Sequence, residues 1–236
     1  MRRLNLGVVV TLLSCAAAAA QDATVPPLER LIDIDYEIRV PVNDCAVPSM
    51  VAGLARRYHF LAGAEYLPVD CQSIWRETPR TGELLNLRGL TIRAALEKLA
   101  TLDPRYRWIE RDGMVVIRPL KAWGDRTNML NYTTTSFALD EVNLGGALDA
   151  VVSAITGIGR TSGQLLSNRT EQAARSFSVK AGATSVGEAL DAIVRAHGQS
   201  WWEVKIGTVR QNELRPMIWL RTFDDSGIGA GVLLPR

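Results

Sequence analysis

The sequence predicts an α+β fold of two tandem small modules, each with two helices packed on small mixed β-sheets in the order β-α-β-α-β-β. Three observations carry this expectation. The stretch "LNLRGLTIRAALEKL" from Leu85 returns without gaps as "VKAGATSVGEALDAI" from Val179. Each copy is followed by two β-rich runs, and the first pair of runs is joined by Asp112-Gly113. Each copy is also preceded by a strand-like run and an amphipathic helical pattern.

Taken in chain order, residues 1–20 read as a secretory signal peptide. Arg2 and Arg3 precede an apolar run from Leu6 to Leu13, and Ala18 and Ala20 stand at the small-residue positions before Gln21. That run is too short to span a bilayer as a helix, which takes about 20 apolar residues. Leu12-Leu13-Ser14-Cys15 is also a loose lipobox, in which Cys15 becomes the lipidated first residue. Residues 21–35 read as a flexible leader.

The first module is expected over 36–120. "YEIRVPV" is its first strand, and Val47 to Leu61 its first helix, with Val47, Met50, Val51, Leu54 and Tyr58 on one face. Leu85, Leu87 and Leu90 mark a short strand. Thr91 then stands at an N-cap, and Ile92, Ala95, Leu96 and Leu99 form a helical apolar stripe. "RYRWIERDGMVVIRP" reads as a hairpin, because Asp-Gly favours a tight type I′ turn.

Residues 121–135 read as a polar linker, and the second module as 136–223. "SFALDEV" is a strand, and Asn143 caps a helix carrying Leu144, Leu148, Val151, Val152 and Ile155. Gly157 to Arg175 reads as a long loop. "RSFSVKA" alternates as a strand. Ser185 and Glu188 form a capping box before a helix with Val186, Ala189, Leu190 and Ile193, which align one for one with Ile92, Ala95, Leu96 and Leu99. The register persists to Trp108 and Trp202. "SWWEVKIG" and "MIWLRTF" complete the module, and residues 224–236 read as a tail without a place in either core.

Charge and cysteine content narrow the function. The chain has 27 Lys+Arg and 25 Asp+Glu, and the signal peptide holds two Arg and no acid, leaving 25 against 25. That balance argues against nucleic-acid binding, which needs clustered positive charge. Removing the signal leaves Cys45 and Cys71, an even number that predicts a disulfide in an oxidising compartment, with two free thiols as the alternative. His59 alone lies near them, too few ligands for a structural zinc site. The only other histidine, His197, sits at a helix end before Gly198, where a cation is favourable in its own right. No nucleophile elbow or phosphate-binding glycine loop is present in the sequence, and no cofactor is implied.

Alternation in "WWEVKI" puts Trp202, Val204 and Ile206 on a core face, and Trp201, Glu203 and Lys205 on the other. Trp219 and Arg221 share that second face from the neighbouring strand. Exposed aromatics beside an arginine have the composition of a contact hot spot, so Trp201, Trp219 and Arg221 are the candidate partner-binding residues. The alternative is that another segment covers them.

"FALDEVNLGGAL", "LRGLTIRAALEKLATL", "YRWIERDGMVVIRP" and "SVGEALDAIV" together resemble the secretin and TonB short N-terminal domain, in two copies. The resemblance spans most of the chain and rests on packing positions. It implies a bacterial envelope location, no catalysis, and docking onto assembly or signalling proteins. No ring domain or β-barrel follows the modules in this sequence, and the Gly157–Arg175 stretch departs from the family pattern. The expected function is therefore a non-catalytic periplasmic protein-interaction module, a scaffold or signal relay acting on envelope proteins. It would have no membrane span, with a lipid anchor at Cys15 as the alternative to a free N-terminus. A protein binding peptidoglycan or a small ligand through its aromatics is the second reading, and a periplasmic hydrolase the third.

Overall fold

Each half of the chain enters its core through a short 3₁₀ turn followed by a single bridge to a helix cap. In the first half the turn is η1 (Pro27–Glu29), Leu31 bridges Thr91, and the Ile92 N–H donates to the Arg30 carbonyl at 3.0 Å. In the second half the corresponding turn is Met129–Asn131, Thr133 bridges Ser185, and the Val186 N–H donates to the Tyr132 carbonyl at 2.9 Å. Leu28 and Ile32 are buried in the first core, Met129 and Leu130 in the second. The expected leader and linker are therefore one element of the repeat, used twice. Their polar composition conceals two apolar anchors in each.

The computed structural model describes residues 25–40, 42–69, 71, 83–155, 174–208, 214–224 and 230–233. The predicted signal peptide, Cys15 and most of the Gly157–Arg175 stretch lie outside them. Ten strands and four α-helices are described. β1 (Glu37–Val40) pairs with β3 (Glu83–Asn86), and β6 (Phe137–Val142) with β7 (Phe177–Ala181), as two small antiparallel ribbons. The helices are α1 (Ala46–Tyr58), α2 (Ile92–Leu102), α3 (Leu144–Ala154) and α4 (Val186–His197).

The expected caps form. Thr91 Oγ1 accepts from the Ala94 N–H and Asn143 Oδ1 from the Gly146 N–H, while Ser185 and Glu188 make a reciprocal capping box. These contacts satisfy helix-end N–H groups that have no intrahelical partner. Asp112 and Gly113 both take positive φ, 51° and 74°, as a type I′ turn requires. Cys45 and Cys71 are bonded, with Cα atoms 5.7 Å apart.

The two halves do not keep separate sheets, as free-standing modules would. The remaining strands form one six-stranded sheet in the order β10-β9-β8-β2-β5-β4. These are β10 (Ala230–Leu233), β9 (Leu214–Thr222), β8 (Ser200–Thr208), β2 (Ala62–Glu65), β5 (Met114–Pro119) and β4 (Tyr106–Arg111). β2 runs parallel to both β5 and β8 and joins the halves. Helices α1 and α2 cover one face and α3 and α4 the other. Val115 and Ile117 accordingly point into the first core, Met114 and Val116 into the second. That is why "MVVI" reads as an unbroken apolar run. β2 was not expected as a strand, and β10 lies in the expected tail. Both belong to the sheet.

The halves are related by a half-turn about the line that crosses the strands, combined with a step along it. Strand β4 maps onto β8 and β5 onto β9, direction and helical face invert together, and the order along the sheet is kept. β2 and β10 occupy the corresponding third seats in opposite senses, β2 parallel to β5 and β10 antiparallel to β9.

Candidate functional site

The three residues expected to bind a partner do share a face. Trp201 is the cross-strand neighbour of Arg221, and Glu203 of Trp219. The face itself is largely enclosed. Trp201 is only 4% exposed, packs in the first core, and stacks on Phe223 with ring centroids 5.9 Å apart. Phe223 stacks in turn on His59, at 5.1 Å. The expectation that Trp201 stands at the surface is therefore overturned: α1 and the end of β9 belong to the same core. Alternation along a strand assigns faces correctly, yet it carries no information on what covers them.

Trp219 is half-buried between two cations. The Arg221 guanidinium lies 5.2 Å and the Lys205 ammonium 5.8 Å from its ring centroid. Both cations share one buried carboxylate: Arg221 Nε donates to Glu203 Oε2 at 2.9 Å, and Lys205 Nζ lies 3.6 Å from it. The Tyr66 hydroxyl reaches the other oxygen at 3.4 Å. Burial, then the neighbouring Glu203 charge, pushes the Tyr66 phenol well above its ordinary pKa, so it stays a hydrogen-bond donor. Cation–π contact and a shared anion hold this cluster together on the sheet face.

A second cluster lies on the opposite face, at the junction of the halves. Glu65 and Arg118 are both buried, with Arg118 Nε 2.6 Å from Glu65 Oε2. Asn131 Oδ1 and Asn128 Oδ1 accept from the same guanidinium at 3.0 and 3.1 Å, and Asn128 Nδ2 donates to Glu65. A third cluster joins β4 to α4. Trp202 Nε1 donates to Asp191 Oδ1 at 2.8 Å, and Arg111 pairs with Asp191 and Glu188. Burial pushes the Asp191 carboxyl upward, and its bonds to Trp202 and Arg111 oppose that. Each of these carboxylates already accepts from a cation, so their chemistry is to tie elements together. Among the described residues no three His, Cys, Asp or Glu side chains gather as a metal site, and no helix is long and apolar enough to cross a membrane.

An open cleft of about 630 Å³ lies beside η1, lined by Arg30, Leu31, Asp33, Arg57, Tyr58 and His59. Tyr58 donates to Asp33 at 2.8 Å, which holds the Asp33 carboxyl below its ordinary value. Arg30 donates to the Tyr58 carbonyl at 3.2 Å.

The feature missed in the sequence is the outer edge of β4. The Asp112-Gly113 turn makes Arg111 and Met114 a hydrogen-bonded pair, so Ile109 and Arg107 also turn their backbones to β5. The Leu120 N–H to Arg105 carbonyl bond, 2.6 Å, continues that series. Tyr106, Trp108 and Glu110 therefore turn theirs outward. Their counterparts on β8 are Ser200, Trp202 and Val204, which face β2: the Tyr66 N–H donates to the Val204 carbonyl at 2.8 Å. Apart from the Tyr106 N–H, which reaches the Asp103 carbonyl at 3.0 Å, the β4 row has no backbone partner among the described residues. The Asp-Gly turn with Trp108 aligned on Trp202 was the signal that located it.

Compared with known protein families, with curated proteins and with solved structures, the chain has no match.

Proposed function

We propose that the chain is a non-catalytic protein-contact module of the bacterial envelope, exported by residues 1–20 and related in kind to the secretin and TonB short N-terminal domain. It serves as a scaffold or signal relay for an envelope assembly. The observation that carries this reading is the β4 edge. It repeats the backbone row with which β8 holds β2, and an unpaired row of this kind accepts an added strand.

Capture from envelope extract tests the reading, with the mature chain as bait. A stoichiometric protein partner, lost when the β4 edge is blocked, supports it. Retention on purified peptidoglycan with no protein partner overturns it in favour of ligand binding, for which the arginine-lined cleft beside η1 is the place to look.

A further inference from the structure

The β4 edge has an occupant of matching shape within the same polypeptide. From the outward backbone rows of β4 and β10 and the tryptophan–glycine match between them, we infer that the mature chain assembles head to tail, β4 of one copy pairing antiparallel with β10 of the next. The inference rests on the reading of β4 as a contact edge and names its partner as a second copy.

Three observations support it. First, the junction already present shows what a first hairpin strand requires of its neighbour. β8 meets β2 with Trp202 beside Gly63, and a Cβ at Gly63 would fall inside the Trp202 indole. A tryptophan on this strand therefore needs a glycine opposite. Trp108 is the matching tryptophan on β4.

Second, β10 occupies in the second half the seat that β2 holds in the first. It opens Ala230-Gly231 where β2 opens Ala62-Gly63. Its outer side pairs with no strand among the described residues. Because β8 uses Trp201, Glu203 and Lys205 to bond β9, the alternate β9 residues Leu220 and Ile218 bond Ala230 and Val232. The Gly231 backbone consequently points outward.

Third, the faces agree, and the sense of β10 permits pairing, although it is antiparallel to β9 where β2 is parallel to β5, so the new junction would be antiparallel where the β8–β2 junction is parallel. Repeating the half-turn step beyond β4 places a second copy in the same orientation as the first. In that copy β10 runs opposite to β4, the stronger pairing sense. Trp108 stands opposite Gly231 with both outward backbones in register, and the pairs Ile109 with Ala230, Arg107 with Val232 and Tyr106 with Leu233 use the full length of β10. The face carrying Trp108 in one copy continues as the face carrying Trp219 in the next. Such a contact is heterologous, so it propagates and does not stop at a dimer.

The experiment is sedimentation velocity on the purified, signal-free wild type and two edge variants, with melting followed by circular dichroism. Gly231→Pro and Trp108→Pro each remove one outward N–H without touching the ladder to β9 or β5. The wild type is expected to grow in mass with concentration, beyond two protomers. Each variant alone is expected to stay monomeric, and an equimolar mixture to form dimers only, since each supplies the edge the other lacks. If Trp108→Pro does not fold, Gly231→Pro and the wild type decide alone. A wild type that stays monomeric at every concentration overturns the inference, as does an assembly that Gly231→Pro leaves unchanged. A monomeric wild type that still captures an envelope protein through β4 overturns only the second copy and leaves the contact reading standing. Assembly without any envelope partner does the reverse.

Discussion

Adding a single methyl group at Gly63 should weaken both halves of the molecule at once. Gly63 lies in the middle of β2, between β5 and β8. Its missing side chain is what leaves room for the Trp202 indole, because a Cβ there would sit well inside the ~3.5–4.0 Å spacing of carbon atoms in contact. Trp202 cannot easily yield. It is 1% exposed, and its Nε1 is held by Asp191 at 2.8 Å. Overpacking of this kind costs about 1–3 kcal/mol. Displacing the ring also strains a hydrogen bond to a charged group, worth about 1.5–3 kcal/mol. Gly63→Ala should therefore lose about 3–5 kcal/mol. With a urea slope of about 2–3 kcal/mol/M, the midpoint falls by about 1–2 M.

The assay is urea unfolding followed by tryptophan fluorescence and far-ultraviolet circular dichroism. Because the two cores lie on opposite faces of one sheet, the two probes should shift together through a single transition. Trp202→Phe removes the part of the indole that the new methyl group strikes, so the double variant should lose less than the sum of the two single losses. A Gly63→Ala protein within about 0.5 kcal/mol of wild type would refute the close approach, since that is the scatter expected of an innocuous surface change. Two separated transitions, only one of them displaced, would refute the shared sheet.

Three further predictions concern the caps and cross-links of the architecture. Ser185→Ala should cost about 1 kcal/mol by removing the cap of α4. Bonds from Thr184 and Ser185 hold the Glu188 carboxyl below its ordinary value of 4.5. Its charged form is the one the fold favours, so its contribution is complete above that value and is lost as pH falls through the lower folded one. Glu188→Gln should flatten that acid limb in a pH series of unfolding curves. Reduction of the Cys45–Cys71 bridge, which closes a separation of 26 residues, should lower stability by about 3–4 kcal/mol on the chain-entropy account, read as the difference in urea stability with and without reductant.

What the sequence showed and what it hid divide along physical lines. The four helices and the Asp112-Gly113 hairpin were legible because local rules govern them: a stripe at helical spacing, a cap, a turn that needs positive φ. β2 was not. Ala62-Gly63-Ala64 has little strand propensity of its own, and it is short of side chains because a neighbouring indole occupies the space. Leu28 with Ile32, and Leu130 with Met129, are only two buried anchors in each segment, too few to show a period. The candidate site followed the same pattern. The common face of Trp201, Trp219 and Arg221 was readable from alternation, whereas the burial of Trp201 depends on α1 and Phe223, which are remote in sequence.

The shared sheet also explains where the buried charges lie. In a module standing alone, the sheet face away from its own helices would meet water, and charge there would be ordinary. Glu65 and Arg118 occupy that face in the first half, and Glu203 occupies it in the second. In the shared sheet both faces are turned inward. Charges there must be paired, and Asn128 and Asn131 of the connecting segment complete the bonds of Arg118. A buried pair of this kind is a weak source of stability, since its desolvation rivals its attraction, yet breaking one partner leaves an uncompensated charge. Arg118→Met alone should thus cost about 3–5 kcal/mol, while Glu65→Met with Arg118→Met should recover most of that loss. Equal losses in the single and double variants, measured by urea unfolding, would show that the pair itself stabilises the junction and would sink the account of it as a surface turned inward.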